Sequence, residues 1–174
     1  MTATNNEVSV PPASARTEGA AVLVLEDGAR FEGRAYGATG QAIGAMAYTS
    51  AIVGYQEVLT DSANAGKIVL FAAPHAGITG ANSEDAQAES VLASGLIVRD
   101  PSRRASNYRA TRTLDEELVN NGTVGIAGVD TRALSRLVQG GKEIRCGIFS
   151  GASLELSNDE QLALVTGATT GEAN

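Results

Sequence analysis

The apolar residues of this chain come in short, dense runs cut off by turn-forming residues, and that patterning restricts what it can fold into. Ala21-Val22-Leu23-Val24-Leu25 is one such run, and Glu26-Asp27-Gly28 follows it at once. Glycine accepts positive φ without steric cost, so the segment reads as a strand, a tight hairpin turn and a returning strand. In the returning segment, 29–36, Phe31, Gly33 and Ala35 fall on one face and Arg30, Glu32 and Arg34 on the other, the period of a half-buried strand. The longest apolar runs, 68–73 and 92–98, are far too short to span a bilayer. Because 43% of the 174 residues are hydrophobic while only 4% are aromatic and none is Trp, the interior must be built mainly from Val, Ile, Leu and Ala. Such a core suits a β-rich or mixed α/β domain, and the length suits one domain.

Further along, Gly37, Gly40 and Gly44 are expected to interrupt the pattern before Ala45-Met46-Ala47-Tyr48. Lys67-Ile68-Val69-Leu70-Phe71 is a second buried strand, which Pro74 should end because proline cannot donate to a ladder. Ser94-Gly95-Leu96-Ile97-Val98 reads as a strand finishing at Arg99-Asp100-Pro101. Helices come later. Thr113 and Glu116 form a capping box that opens one, and Asn121-Gly122 stops it. After a short strand at 124–127, Asp130 can accept the free amide hydrogens of a helix over 131–139, closed by Gly140-Gly141. The segment 143–149 puts Ile144, Cys146 and Ile148 on one face, and a Ser157-x-x-Glu160 box opens a last helix ending at Gly167. Residues 1–19 read as a mobile polar tail, 20–151 as the domain, and 152–174 as a terminal helix and the start of a linker.

A formal net charge of −7, with the 13 basic residues expected to be scattered rather than striped along one face, argues against a nucleic-acid groove, which needs clustered Lys and Arg. One cysteine cannot form an internal disulfide and no secretory leader precedes the first strand, so the cytosol is expected, with no membrane partner. Cys146 and His75 are the only thiol and imidazole. Cys146 lies in period with Ile144 and Ile148, as a buried small hydrophobe does, and lacks the Gly-x-Cys-x-Gly turn that exposes a nucleophile. His75, between Pro74 and Gly77 without a nearby ligand set, reads as a structural loop residue, and no metal or other cofactor is implied. The glycine-rich stretch 37–44 lacks the Gly-Lys-Ser/Thr end of a phosphate loop, so tight turns explain it better.

Two polar blocks stand apart from this scaffold. Gly54-Tyr55-Gln56-Glu57-Val58-Leu59-Thr60-Asp61 suggests a loop whose side chains either bridge to a partner or cap neighbouring backbone, and the spacing does not choose between these. Gly128-Val129-Asp130-Thr131-Arg132-Ala133-Leu134 is the second block. In that order the pair resembles the amino-terminal domain of the small, glutamine-using subunit of carbamoyl-phosphate synthetase, which has Thr-Gly-Tyr-Gln-Glu-x-Leu-Thr-Asp-Pro-Ser-Tyr and then an Asp-Thr-Arg helix start. Ser106-Asn107-Tyr108-Arg109 is similar to a third family block, and either a turn or an intersubunit contact suits it. The resemblance covers most of 22–151.

It implies a swivelling β/β/α-type domain, mixed α/β, that docks on the large subunit and helps to frame a glutaminase held in a second domain. No catalytic residue is expected here. Gly54, Tyr55, Gln56, Glu57, Asp61, Asn107, Arg109, Asp130 and Arg132 would then be interface or framework residues. The departures matter as well: Asp61-Ser62-Ala63-Asn64 replaces Asp-Pro-Ser-Tyr, so the family serine that lies against glutamine falls on Ala63. The glutaminase domain, with its Cys-His-Glu site, is expected to be absent, which leaves two readings: a fragment of a longer subunit, or a stand-alone paralogue acting as a non-catalytic binding module.

Overall fold

The computed structural model describes residues 19–50, 55–72, 75–76, 90–101 and 113–167. Among them run strands β1 (Ala20–Leu25), β2 (Arg30–Gly37) and β3 (Gln41–Thr49), helix α1 (Tyr55–Thr60), and strands β4 (Ile68–Phe71), β5 (His75–Ala76), β6 (Gly95–Ile97) and β7 (Asp100–Pro101). Helix α2 (Leu114–Asn120), β8 (Val124–Ala127), α3 (Thr131–Val138), β9 (Arg145–Ser150) and α4 (Asn158–Thr166) follow. The domain is mixed α/β, as expected. Its sheet closes on itself, however, into a seven-stranded barrel of order β1-β2-β8-β6-β4-β3-β9. The β3-β4, β4-β6 and β6-β8 pairs are parallel, whereas β1-β2, β2-β8, β1-β9 and β3-β9 are antiparallel.

Closure explains the apolar runs. A barrel has an interior and an exterior, and here helices cover much of the exterior, so strands are buried on both faces and lose the simple alternation of a one-sided sheet. Leu23 and Leu25 of β1, Ile68 and Leu70 of β4, Ile126 of β8 and Ile148 of β9 fill one cluster, the barrel interior. Their neighbours point outward: Val69, Phe71, Leu96 and Ala127 pack with Leu59 of α1 and Leu118 of α2, while Val22, Val24 and Phe149 pack with Val165 of α4. In β2 the alternation holds only as far as Arg34, after which Ala35, Tyr36 and Gly37 are all buried, with Tyr36 on the outer face in the α1–α2 cluster. The segment leading into β9 puts Ile144, Cys146 and Ile148 inward as expected, yet Gly147 and Phe149 are buried too.

Local chemistry sets the element ends. Gly28 takes φ of 90° in the β1–β2 turn, where the Leu25 amide donates to the Ala29 carbonyl at 2.9 Å. The two capping boxes expected from the sequence are closed: Glu116 N–H donates to Thr113 Oγ1 at 3.2 Å, and Glu160 N–H to Ser157 Oγ at 3.1 Å, each reciprocated by the glutamate carboxylate.

Three expectations need correction. Gly44 does not interrupt a strand but lies within β3, where a Cβ would run into the Gly66 backbone oxygen, so it permits close approach rather than a turn. Asp100-Pro101 does not merely end a strand; it forms β7, parallel to β5, and His75, placed in a loop by its neighbours in sequence, stands opposite Asp100 in that pair. β4 ends at Phe71, and Pro74 lies outside the described residues.

Candidate functional site

Helix α3 has two different sides. Leu134 and Val138, one turn apart, reach into the barrel-interior cluster, so the helix is anchored on that core. Arg132, Arg136 and Leu137 stay exposed. Asp130 holds the helix start by accepting from Ala133 N–H at 3.1 Å, and Ser135 Oγ donates back to the Thr131 carbonyl at 2.6 Å. Beside this helix lies a groove of about 520 Å³ whose lining includes Tyr48 from β3, Ala72 beyond β4, Arg99 beyond β6, and Arg132, Arg136 and Gln139. Among the described residues no carboxylate lines it. A second recess of about 280 Å³ shares Tyr48 and brings in Met46, Lys67, Val138, Lys142 and Glu143. Tyr48 is 42% exposed, so an aromatic ring stands among cations at the junction of the two hollows. Planar guanidinium groups pair bidentately with carboxylates or phosphates, so the groove offers groups suited to anions.

Of the residues expected to matter, the structure brings Arg132 into the groove and sets Asp130 as its helix cap. The Tyr55-Gln56-Glu57 block, read as a loop, is instead the first turn of α1. Tyr55 is buried edge-on against Phe71, with ring centroids 5.0 Å apart, and Gln56 is buried as well, while Glu57 is exposed. Asp61 caps the short turn Ser62–Asn64 by accepting from Ala63 N–H at 2.9 Å, which is the backbone-capping alternative, and Ala63 itself is exposed. Gly54, Asn107 and Arg109 lie outside the described residues.

Cys146 has no access to solvent, and burial pushes its thiol from 9.0 up to about 12, Arg145 opposing and Glu26 adding to the rise. A thiol held protonated inside a barrel is no nucleophile. Burial, and secondarily the negative charge of Asp115, also raises the Tyr36 phenol, whose hydroxyl has no hydrogen-bond partner among the described residues. Asp115 accepts from Gly37 N–H at 2.8 Å, where φ of 72° and the nearby Leu118 Cβ leave room for glycine alone.

Sequence reasoning missed Arg99, Arg136, Lys67, Lys142 and Tyr48, because a dispersed count of basic residues hides how the fold gathers them. The one available signal was the i, i+4 spacing of Arg132 and Arg136 on the expected helix. Among the described residues no helix is long and apolar enough to cross a membrane, and no three His, Cys, Asp or Glu side chains form a metal-binding group.

A domain with this motif order is recognisable among known proteins. The family model for the carbamoyl-phosphate synthase small chain, CPSase domain, matches residues 23–148, and the chain belongs to that family. It is 51% identical over 134 residues to the carbamoyl phosphate synthase small chain of Streptomyces avermitilis, covering 77% of this chain and 35% of that one. The small chain of Mycobacterium tuberculosis is 49% identical over 136 residues, with 77% and 36% covered, and that of Corynebacterium efficiens 44% over 147 residues, with 83% and 37% covered. The chain thus spans about a third of the length of these relatives.

Proposed function

We propose that this chain serves as the docking and framework domain of the small chain of a glutamine-dependent carbamoyl-phosphate synthase, in the family's swivelling β/β/α form. The whole assembly would make carbamoyl phosphate from glutamine, bicarbonate and ATP for arginine and pyrimidine synthesis in the cytoplasm. Its glutaminase would lie in a separate domain, and its partner would be the large subunit. The observation that carries this reading is the match over 23–148 at about half identity to small chains. Burial of Cys146 supports a non-catalytic role, since the one thiol of the chain is withheld from substrate.

One observation favours a second reading, a diverged binding module. The position that the family fills with its glutamine-contacting serine is an exposed alanine, Ala63, which can offer no hydroxyl. Size-exclusion co-elution with the cognate large subunit at micromolar concentration, together with an ammonia assay on glutamine, tests the first. Co-elution without ammonia release from this chain alone is expected. Absence of co-elution would leave the binding module, and ammonia release abolished by Cys146→Ser with folding intact would overturn the non-catalytic assignment.

A further inference from the structure

The α3 groove collects cations on a chain whose overall charge is negative. Among the described residues the two hollows gather five bases, Arg99, Arg132, Arg136, Lys67 and Lys142, against one acid, Glu143, while the chain as a whole carries −7. Helix α3 also presents an exposed leucine, Leu137, next in sequence to Arg136. Arginine and tyrosine around a small apolar contact are the residue types that dominate binding energy at protein interfaces. A globally acidic chain repels nucleic acid at long range, whereas a local cationic groove still steers and orients an acidic protein segment.

From this charge complementarity we infer that the groove formed by Arg99, Arg132, Arg136 and Tyr48 is a docking site for an acidic segment of the large subunit. The inference rests on the proposed function for the identity of the partner but not for the chemistry of the site. Carboxylates of the segment pair with the guanidinium forks, and Tyr48 packs against its aliphatic stems. Because α3 is seated on the barrel core through Leu134 and Val138, the arginines are presented by a rigid element.

Two titrations test it. In the first, the cognate large subunit is titrated calorimetrically into the intact chain and into Arg132→Ala/Arg136→Ala, whose exposed side chains leave the core untouched. Loss of roughly tenfold or more in affinity at low salt, a difference that narrows as salt rises and screens the intact site, is expected from removing two charged anchors. Equal affinity overturns the site while leaving the partnership intact, and no binding by the unaltered chain removes the partnership. In the second, a fluorescein-labelled Glu-rich peptide replaces the large subunit, so that the site is tested even without that partner. Saturable binding lost in the double variant supports the groove; binding that survives the substitutions, or no binding to either protein, overturns it. A duplex oligonucleotide that displaces the peptide and binds more tightly would overturn the assignment to acidic protein.

Discussion

The inner and outer faces of α3 are made from the same eight residues, yet they answer to different constraints. Leu134 and Val138 are fixed by what the barrel end needs: apolar volume at i, i+4 spacing to meet Ile144, Met46 and their neighbours. Arg132, Arg136 and Leu137 are exposed, and the two arginines line a groove without a carboxylate among the described residues. The contrast separates what makes the domain fold from what makes it useful to a partner, and substitutions should separate along the same line.

The largest effect is expected in the barrel itself. Gly44→Val drives side-chain atoms against the Gly66 carbonyl between β3 and the approach to β4, and should cost at least about 3 kcal/mol or prevent folding. Near-normal urea denaturation of this variant would show that the strands can part cheaply, and the interior would no longer be the rigid member of the comparison. Next comes the inner face. Leu134→Ala opens a cavity at the anchored side of α3 and should cost roughly 2–5 kcal/mol. A loss below that range would mean that α3 rests on the barrel without being part of its core.

Cys146 sharpens the comparison through pH. Its thiol pKa is higher folded than unfolded, so its contribution to stability is complete below pH 9.0 and is lost as pH rises toward about 12. The unfolding free energy should therefore fall by on the order of 1 kcal/mol per pH unit in that window from this group, and Cys146→Ala should remove that slope. An identical alkaline slope in the variant would show that the thiol is not held by the core. The smallest effect belongs to the outer face: Arg132→Ala/Arg136→Ala should change stability by no more than about 0.5 kcal/mol, read from the same urea curves. A larger loss would assign those arginines to the fold rather than to a partner.

The inner face was largely legible in the sequence, because burial imposes periodicity. Ile144, Cys146 and Ile148 could be placed on one face from spacing alone, and Thr113, Asp130 and Ser157 marked their helix starts through hydrogen bonds that depend only on neighbours. Barrel closure was not legible, since whether a sheet closes depends on β1 meeting β9 across most of the chain. Gly44 was misread for a related reason: a glycine that admits a turn and one that admits a distant backbone look the same until Gly66 is beside it. The Tyr55-Gln56 turn also hid its nature, because polar residue types gave no hint that Phe71 would bury that ring. The groove was least legible, being assembled from Tyr48, Arg99 and Arg132, which no local rule connects.

Amide hydrogen exchange of the chain, free and bound to its cognate large subunit, tests the division between fold and docking face most directly. In the free chain the amides of β1, β4 and β9 should exchange slowest, since they lie in the closed ladder. On binding, new protection should appear in α3 and around Arg99, with those strands unchanged. Protection confined to α4 and the outer face of β9, with α3 exchanging as in the free chain, would contradict the account.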